Sequence, residues 1–185
     1  LNFDILLIGG DLIDSSKFDI SNFLTFKDLK KPILFVTGNH ELYLKNWKLI
    51  SRSLSKYNII NIDNIGYKFK EINIIGIGDD LSINEQKVAI KKSFIKNHYN
   101  IAMIHKPTLW KRTIENLDLV ISGHTHNGQI FPFNLLVMSK FKNIYGLYED
   151  KDSFLYVSSG VGCWGPRMRL GSQNEIVMIS LSKKS

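Results

Sequence analysis

The sequence has one cysteine, Cys163, and so lacks the second thiol needed for an internal disulfide, a CxxC redox pair or a thiolate metal site. A small, packed side chain is the expectation for it. Prolines number four, and no Pro-, Gly- or Ser-rich linker, repeat or low-complexity tract interrupts the 185 residues, so one domain spanning 1–185 is expected, large enough to bury a core. No apolar run approaches the roughly 20 residues that cross a bilayer, because Lys, Asn, Asp or Gly breaks each Ile/Leu/Phe cluster. The chain as read is therefore expected to be soluble. It also lacks an initiator Met or charged leader before Leu1, which stands inside a strand-like run. An upstream segment is expected, with room in it for a membrane anchor.

What is present is ordinary for a globular chain: 44% hydrophobic and 22% charged residues. Against 17 Asp and Glu stand 24 Lys and Arg, a net charge of +7 that draws anionic substrates or membrane surfaces. The lysines are scattered along a sequence also rich in Asn and Ile, and no basic stripe interleaved with aromatics is visible. Nucleic acid is therefore not an expected partner.

Apolar runs ending in polar, glycine-bearing loops recur. Residues 3–8 read as a buried strand running into Gly9, Gly10 and Asp11; residues 33–37 lead to Gly38, Asn39, His40 and Glu41; residues 100–104 lead to His105; and residues 117–122 lead to Gly123, His124, Thr125 and His126. Helical spacing marks 17–31, through Phe18, Phe23, Phe26 and Leu29, then 44–57 and 83–96. Shorter β-like stretches fall at 59–62, 66–71, 72–77, 154–158 and 175–181. The pattern is that of one α/β domain whose polar clusters sit at strand ends, where open α/β sheets bind ligands.

Four of the five histidines, with Asp11 and Asn39, lie in those loops. Imidazoles mixed with a carboxylate and an amide oxygen suit divalent Mn, Fe, Zn, Co or Ni and are ill matched to copper-thiolate or iron–sulfur chemistry. GGDLID at 9–14, GNHE at 38–41, the strand-end His105 and GHTH at 123–126 resemble, in order and spacing, the successive signatures of calcineurin-like metallophosphoesterases. GHTHNGQIFP at 123–132 and SSGVGCWGPRMRLGSQNEI at 158–176 resemble a branch of bacterial phosphodiesterases that are often membrane-associated and include lipid-precursor pyrophosphatases.

The resemblance implies an α/β/β/α sandwich of two mixed β-sheets flanked by helices. It implies Asp11 as the carboxylate bridging two metal ions, Asn39, His105 and His124 as completing one site, and His126 as belonging to the other. His40 is implied beside the phosphoryl group as acid or charge stabiliser. The family also carries an Asp-x-His signature on the preceding strand, and none precedes Asp11 here. The expected chain thus lacks its first strand, holds one metal site well and the second weakly. The reaction implied is attack of a metal-bound hydroxide on a phosphodiester or pyrophosphate, with a lipid or nucleotide-lipid precursor as one substrate class. The competing expectation is a catalytically degenerate scaffold on the same fold.

Other residues keep two readings. Asp14 suits either a ligand-orienting role or a helix N-cap. Arg167 and Arg169, in a glycine-rich loop, offer guanidinium forks to phosphate oxygens or are ordinary surface residues. The apolar stretch 130–141, with Lys140 and Lys142 beside it, is either core or a lip that touches lipid. Trp47, Trp110 and Trp164 are expected to pack, and Trp164, inside the glycine-rich tail, is the one to test for stacking on substrate.

Overall fold

The computed structural model describes residues 2–111 and 117–182. Three parallel strands, β1 (Leu6–Ile8), β2 (Ile33–Phe35) and β3 (Ile59–Asn61), form one sheet in the order β1-β2-β3. Six more, β4 (Gly66–Phe69), β5 (Ile72–Ile77), β6 (Tyr99–Ile104), β7 (Leu119–Ser122), β8 (Gly146–Asp150) and β9 (Ser153–Val157), form a second sheet in the order β4-β5-β6-β7-β9-β8. Its four central strands run parallel and both edge pairs are antiparallel. Among the described residues the smaller sheet is all parallel and the larger is mixed.

Alternation along each strand builds three apolar layers. On β2, Leu34 and the following Val36 turn inward to meet Ile74, Ile101, Met103 and Leu119 of the larger sheet. Ile33 and Phe35 turn outward onto Phe23, Leu44 and Leu54. On the far face Ile75, Ile77, Ala102 and Ile104 pack with Ile90, which belongs to α3 (Ile83–Ser93), a helix opened by a Ser82/Glu85 capping box. The order of layers is helix, sheet, sheet, helix, the α/β/β/α sandwich.

Segment 17–31 forms a 3-10 helix, Ile20–Asp28, capped by Asp19, whose side chain accepts from the Ser21 N–H. Ile20, Phe23, Phe26 and Leu29 recur every three residues, which matches the 3.0 residues of a 3-10 turn and would drift around an α-helix. Segment 44–57 becomes α2 (Trp47–Ser53) followed by a 3-10 turn, Leu54–Tyr57. Preceding it is α1 (Asn39–Leu42), and α4 (Phe133–Lys140) lies beyond β7.

Residues 175–181 enter no described strand, contrary to expectation. Glu175 is held by Ser159 N–H and the hydroxyls of Tyr145, Tyr156 and Ser158, while Ile176, Met178 and Leu181 stay exposed. No neighbouring strand among the described residues supplies a ladder for them. Among the described residues no helix is long and apolar enough to cross a membrane.

Candidate metal centre

Loops from both sheets converge where their parallel strands end. The loop after β1 carries Asp11, α1 after β2 carries Asn39 and His40, the end of β6 carries His105, and the loop after β7 carries His124 and His126. Close approach requires glycine: a Cβ on Gly10, whose φ is +96°, would stand 2.5 Å from His105 Nδ1, and one on Gly38 would strike the Asp11 carboxylate. Asp11 and His124 themselves sit at φ 54° and 70°, strained positions of the kind that persist where surrounding contacts enforce them.

His105 is the hub. Its Nδ1 lies 2.8 Å from the Gly9 carbonyl, which can only accept, so that nitrogen carries the proton and donates. The lone pair on Nε2 then faces Asp11 Oδ2, Asn39 Oδ1 and His124 Nδ1, each 3.1 Å away. In the neutral ring four lone-pair atoms so placed repel one another unless something positive sits among them, either a cation or a second proton on Nε2 shared with Asp11. Ions with bonds of about 2.1 Å and ligand angles of about 90–110° hold neighbouring donors about 3.0–3.4 Å apart. The spacing of this quartet fits a divalent cation. Asp11, His105 and His124 form the metal-type cluster found among the described residues, with ligand atoms mutually within 4.8 Å, and Asn39 adds its amide oxygen.

The same geometry sets the charges. Burial pushes Asp11 up, but the hydrogen bond and charge of His105, then the His40 backbone N–H at 2.9 Å, outweigh it and hold the carboxyl at about 2. Burial also opposes charge on His105, and there the Asp11 partner wins, raising its pKa. His124 is held down at about 3 by burial and by the charges of His105 and Lys106, so its nitrogen is neutral and free to ligate near pH 7.

His126 stands outside this cluster. Its Nδ1 is 3.3 Å from an Arg169 nitrogen, and burial followed by that guanidinium lowers its pKa. Arg169, a candidate for phosphate, is committed elsewhere: it donates to the carbonyls of His126, Ser159, Gly160, Gly162 and Gln173, and so clamps the loop 159–173. Arg167 is exposed. His40 is half-buried on α1, its ring 5.8 Å from that of Tyr43. Asp14 is exposed and caps no helix among the described residues; the N-cap of Ile20–Asp28 is Asp19.

Glu41 was not among the expected site residues. Fully buried, it accepts from Ile13 N–H through Oε1 and from Asp11 and Gly38 N–H through Oε2, at 2.8–2.9 Å. One carboxylate thereby ties the two ligand loops together. Burial raises its pKa against those three hydrogen bonds. The GNHE motif contained the signal, because a carboxylate two residues beyond a ligand on a short helix faces back into the loop. A cavity of about 540 Å³, lined by Lys27, Lys30, Lys31 and Lys56, lies at the opposite end of the smaller sheet and contains none of these ligands.

A carboxylate, an amide and imidazoles gathered at the joint edge of two packed sheets define a metal-binding α/β protein of the phosphoesterase type. The sequence profile of the calcineurin-like phosphoesterases matches residues 1–128, and the chain belongs to that family. It is 35% identical over 193 residues to an uncharacterized metallophosphoesterase of Campylobacter jejuni, covering 98% of this chain and 51% of the relative. One from Helicobacter pylori is 36% identical, with 98% and 52% covered. A bovine transmembrane protein with metallophosphoesterase domain is 32% identical over 203 residues, with 96% and 46% covered. The chain spans about half the length of the curated relatives it matches.

Proposed function

We propose that the chain carries the catalytic centre of a hydrolase that cleaves a phosphodiester or pyrophosphate. The observation that carries this reading is the quartet around His105 Nε2, with its 3.1 Å edges. When bound, divalent cations supply the charge that clamps phosphoryl oxygens and acidifies water. Asp11 remains ionised, His124 remains neutral and Asn39 contributes an uncharged oxygen, so these three are ready to ligate near pH 7 without first losing a proton, whereas His105, its pKa raised, ligates in competition with protons. In the complete protein two ions would be held, Asp11 serving both and His126 the second. Manganese heads the candidate ions, which also include Fe, Zn, Co and Ni.

Water attacks phosphorus in line, the bond to the departing oxygen breaks, and His40, next to Asn39 on α1, donates a proton to that oxygen. Arg167 is free to meet a phosphate oxygen. Exposed apolar residues beside the site favour an acyl-bearing substrate, a lipid or nucleotide-lipid precursor, at a membrane surface. The test is metal analysis with turnover of bis-p-nitrophenyl phosphate, run in oxygen-18 water on a chain extended upstream. One solvent oxygen should enter each phosphate product. Full metal loading without turnover would return the scaffold reading.

A further inference from the structure

The stretch 130–141, an ambiguous candidate for core, is not core. None of the residues of α4 is buried, and Leu135, Leu136 and Met138 are each more than half exposed. The clamped loop beside it adds Met168 and Leu170, exposed to the same degree. These belong to one surface: Phe133 and Trp164 meet ring to edge at 6.1 Å, and the Phe131 N–H donates to the Leu170 carbonyl at 2.8 Å. Buried Gln129 holds the Trp164 backbone from both sides, donating to its carbonyl at 2.8 Å and accepting from its N–H at 2.9 Å. The surface is built in advance. An exposed apolar area of this kind marks a contact with something.

Charge says what the contact is. No Asp or Glu occurs from Leu119 to Tyr148 or from Ser153 to Asn174, although the chain has 17 of them. The same segments carry Lys140, Lys142 and Arg167, and none of the three enters an ion pair among the described residues. A second copy meeting this face across a two-fold axis would set those cations against their own images with no carboxylate to answer them. An anionic bilayer answers them along its whole surface. Apolar side chains enter the acyl boundary, lysines reach back to headgroups, and Trp164 is of the type that favours that depth.

We infer that α4 and the loop 161–170 form a docking surface for an anionic lipid bilayer. Phe141, next after α4, stacks edge-on with His124 at 5.3 Å, so docking brings the metal centre to headgroup level. That last step, presentation of lipid phosphoesters to the centre, rests on the hydrolase reading above; the docking does not.

The experiment is sedimentation of the full chain with phosphatidylcholine vesicles, with and without phosphatidylglycerol, following tryptophan fluorescence as well as the pellet. The chain should pellet with the anionic vesicles, and removing phosphatidylglycerol or raising salt should weaken partition by about tenfold or more. Lys140→Glu with Lys142→Glu, and separately Leu135→Ser with Leu136→Ser, should each lower partition by about tenfold or more, with unchanged circular dichroism and unchanged turnover of bis-p-nitrophenyl phosphate. The inference is overturned if the folded chain ignores anionic vesicles, if both double variants bind like the parent, or if the parent is a dimer that the leucine variant dissolves. Binding without hydrolysis would remove the hydrolase reading alone; hydrolysis without binding would remove the docking alone.

Discussion

The metal centre and the lip beside it are opposite constructions only a few side chains apart. At the centre, polar groups are buried and nearly every one is fixed: Glu41 by three backbone donors, His105 by Gly9, Asp11 by His40. On the lip, apolar groups are exposed and only the backbone beneath them is fixed, by Gln129 and Arg169. Buried polar atoms are costly unless paired, and exposed apolar ones are unfavourable unless covered. The contrast therefore separates a part of the molecule complete in its protein contacts from a part awaiting contact with something else.

Replacing His105 by Ala should test the contrast most severely. Loss of partners that merely support a ligand costs about 10–100-fold, so loss of the hub should lower turnover of bis-p-nitrophenyl phosphate by more than about 100-fold. A variant retaining full metal and full rate would break the assignment. Glu41→Gln comes next. An amide has one acceptor oxygen where the carboxylate uses two, so at least one buried N–H is orphaned, costing about 1–3 kcal/mol in urea unfolding. Metal affinity should drop by about 10–100-fold, a change that a remote substitution of equal destabilisation would not produce.

Acid should act more gently. The Asp11 pKa in the folded chain, about 2, lies below its unfolded value. Its stabilising contribution is therefore complete above about pH 4 and is lost as the pH falls to about 2, amounting to about 2 kcal/mol. Metal-free chain unfolded in urea across that window should show the loss, and Asp11→Asn should lack it. Least affected should be the lip: Leu136→Ala should change stability by no more than about 0.5 kcal/mol, whereas Leu34→Ala, between the sheets, should cost about 2–5 kcal/mol. Equal costs at the two leucines would erase the distinction.

Much of the framework was legible because continuous apolar runs such as 33–37, 72–77 and 100–104 have few alternatives to a buried strand. The ligand loops were legible because glycine and histidine punctuate those runs at their ends. Other features depended on partners that a linear reading does not display. β8 alternates, but exposed Leu147 blurs the pattern, and its pairing with β9 decides it. α4 has apolar residues all round, so no periodicity distinguishes it. Arg169 resembled a phosphate ligand until the carbonyls that occupy its two terminal nitrogens were in place, and those carbonyls have no signature in side-chain identity.

Asp11 and Asn39 hang from the smaller sheet, His105 and His124 from the larger. A cation gripped by all four is thus a rivet through two layers otherwise joined by greasy, non-directional contact. Chelation should do more than silence chemistry: it should let the layers slide, and the grip of one on the other should tighten with the logarithm of free metal.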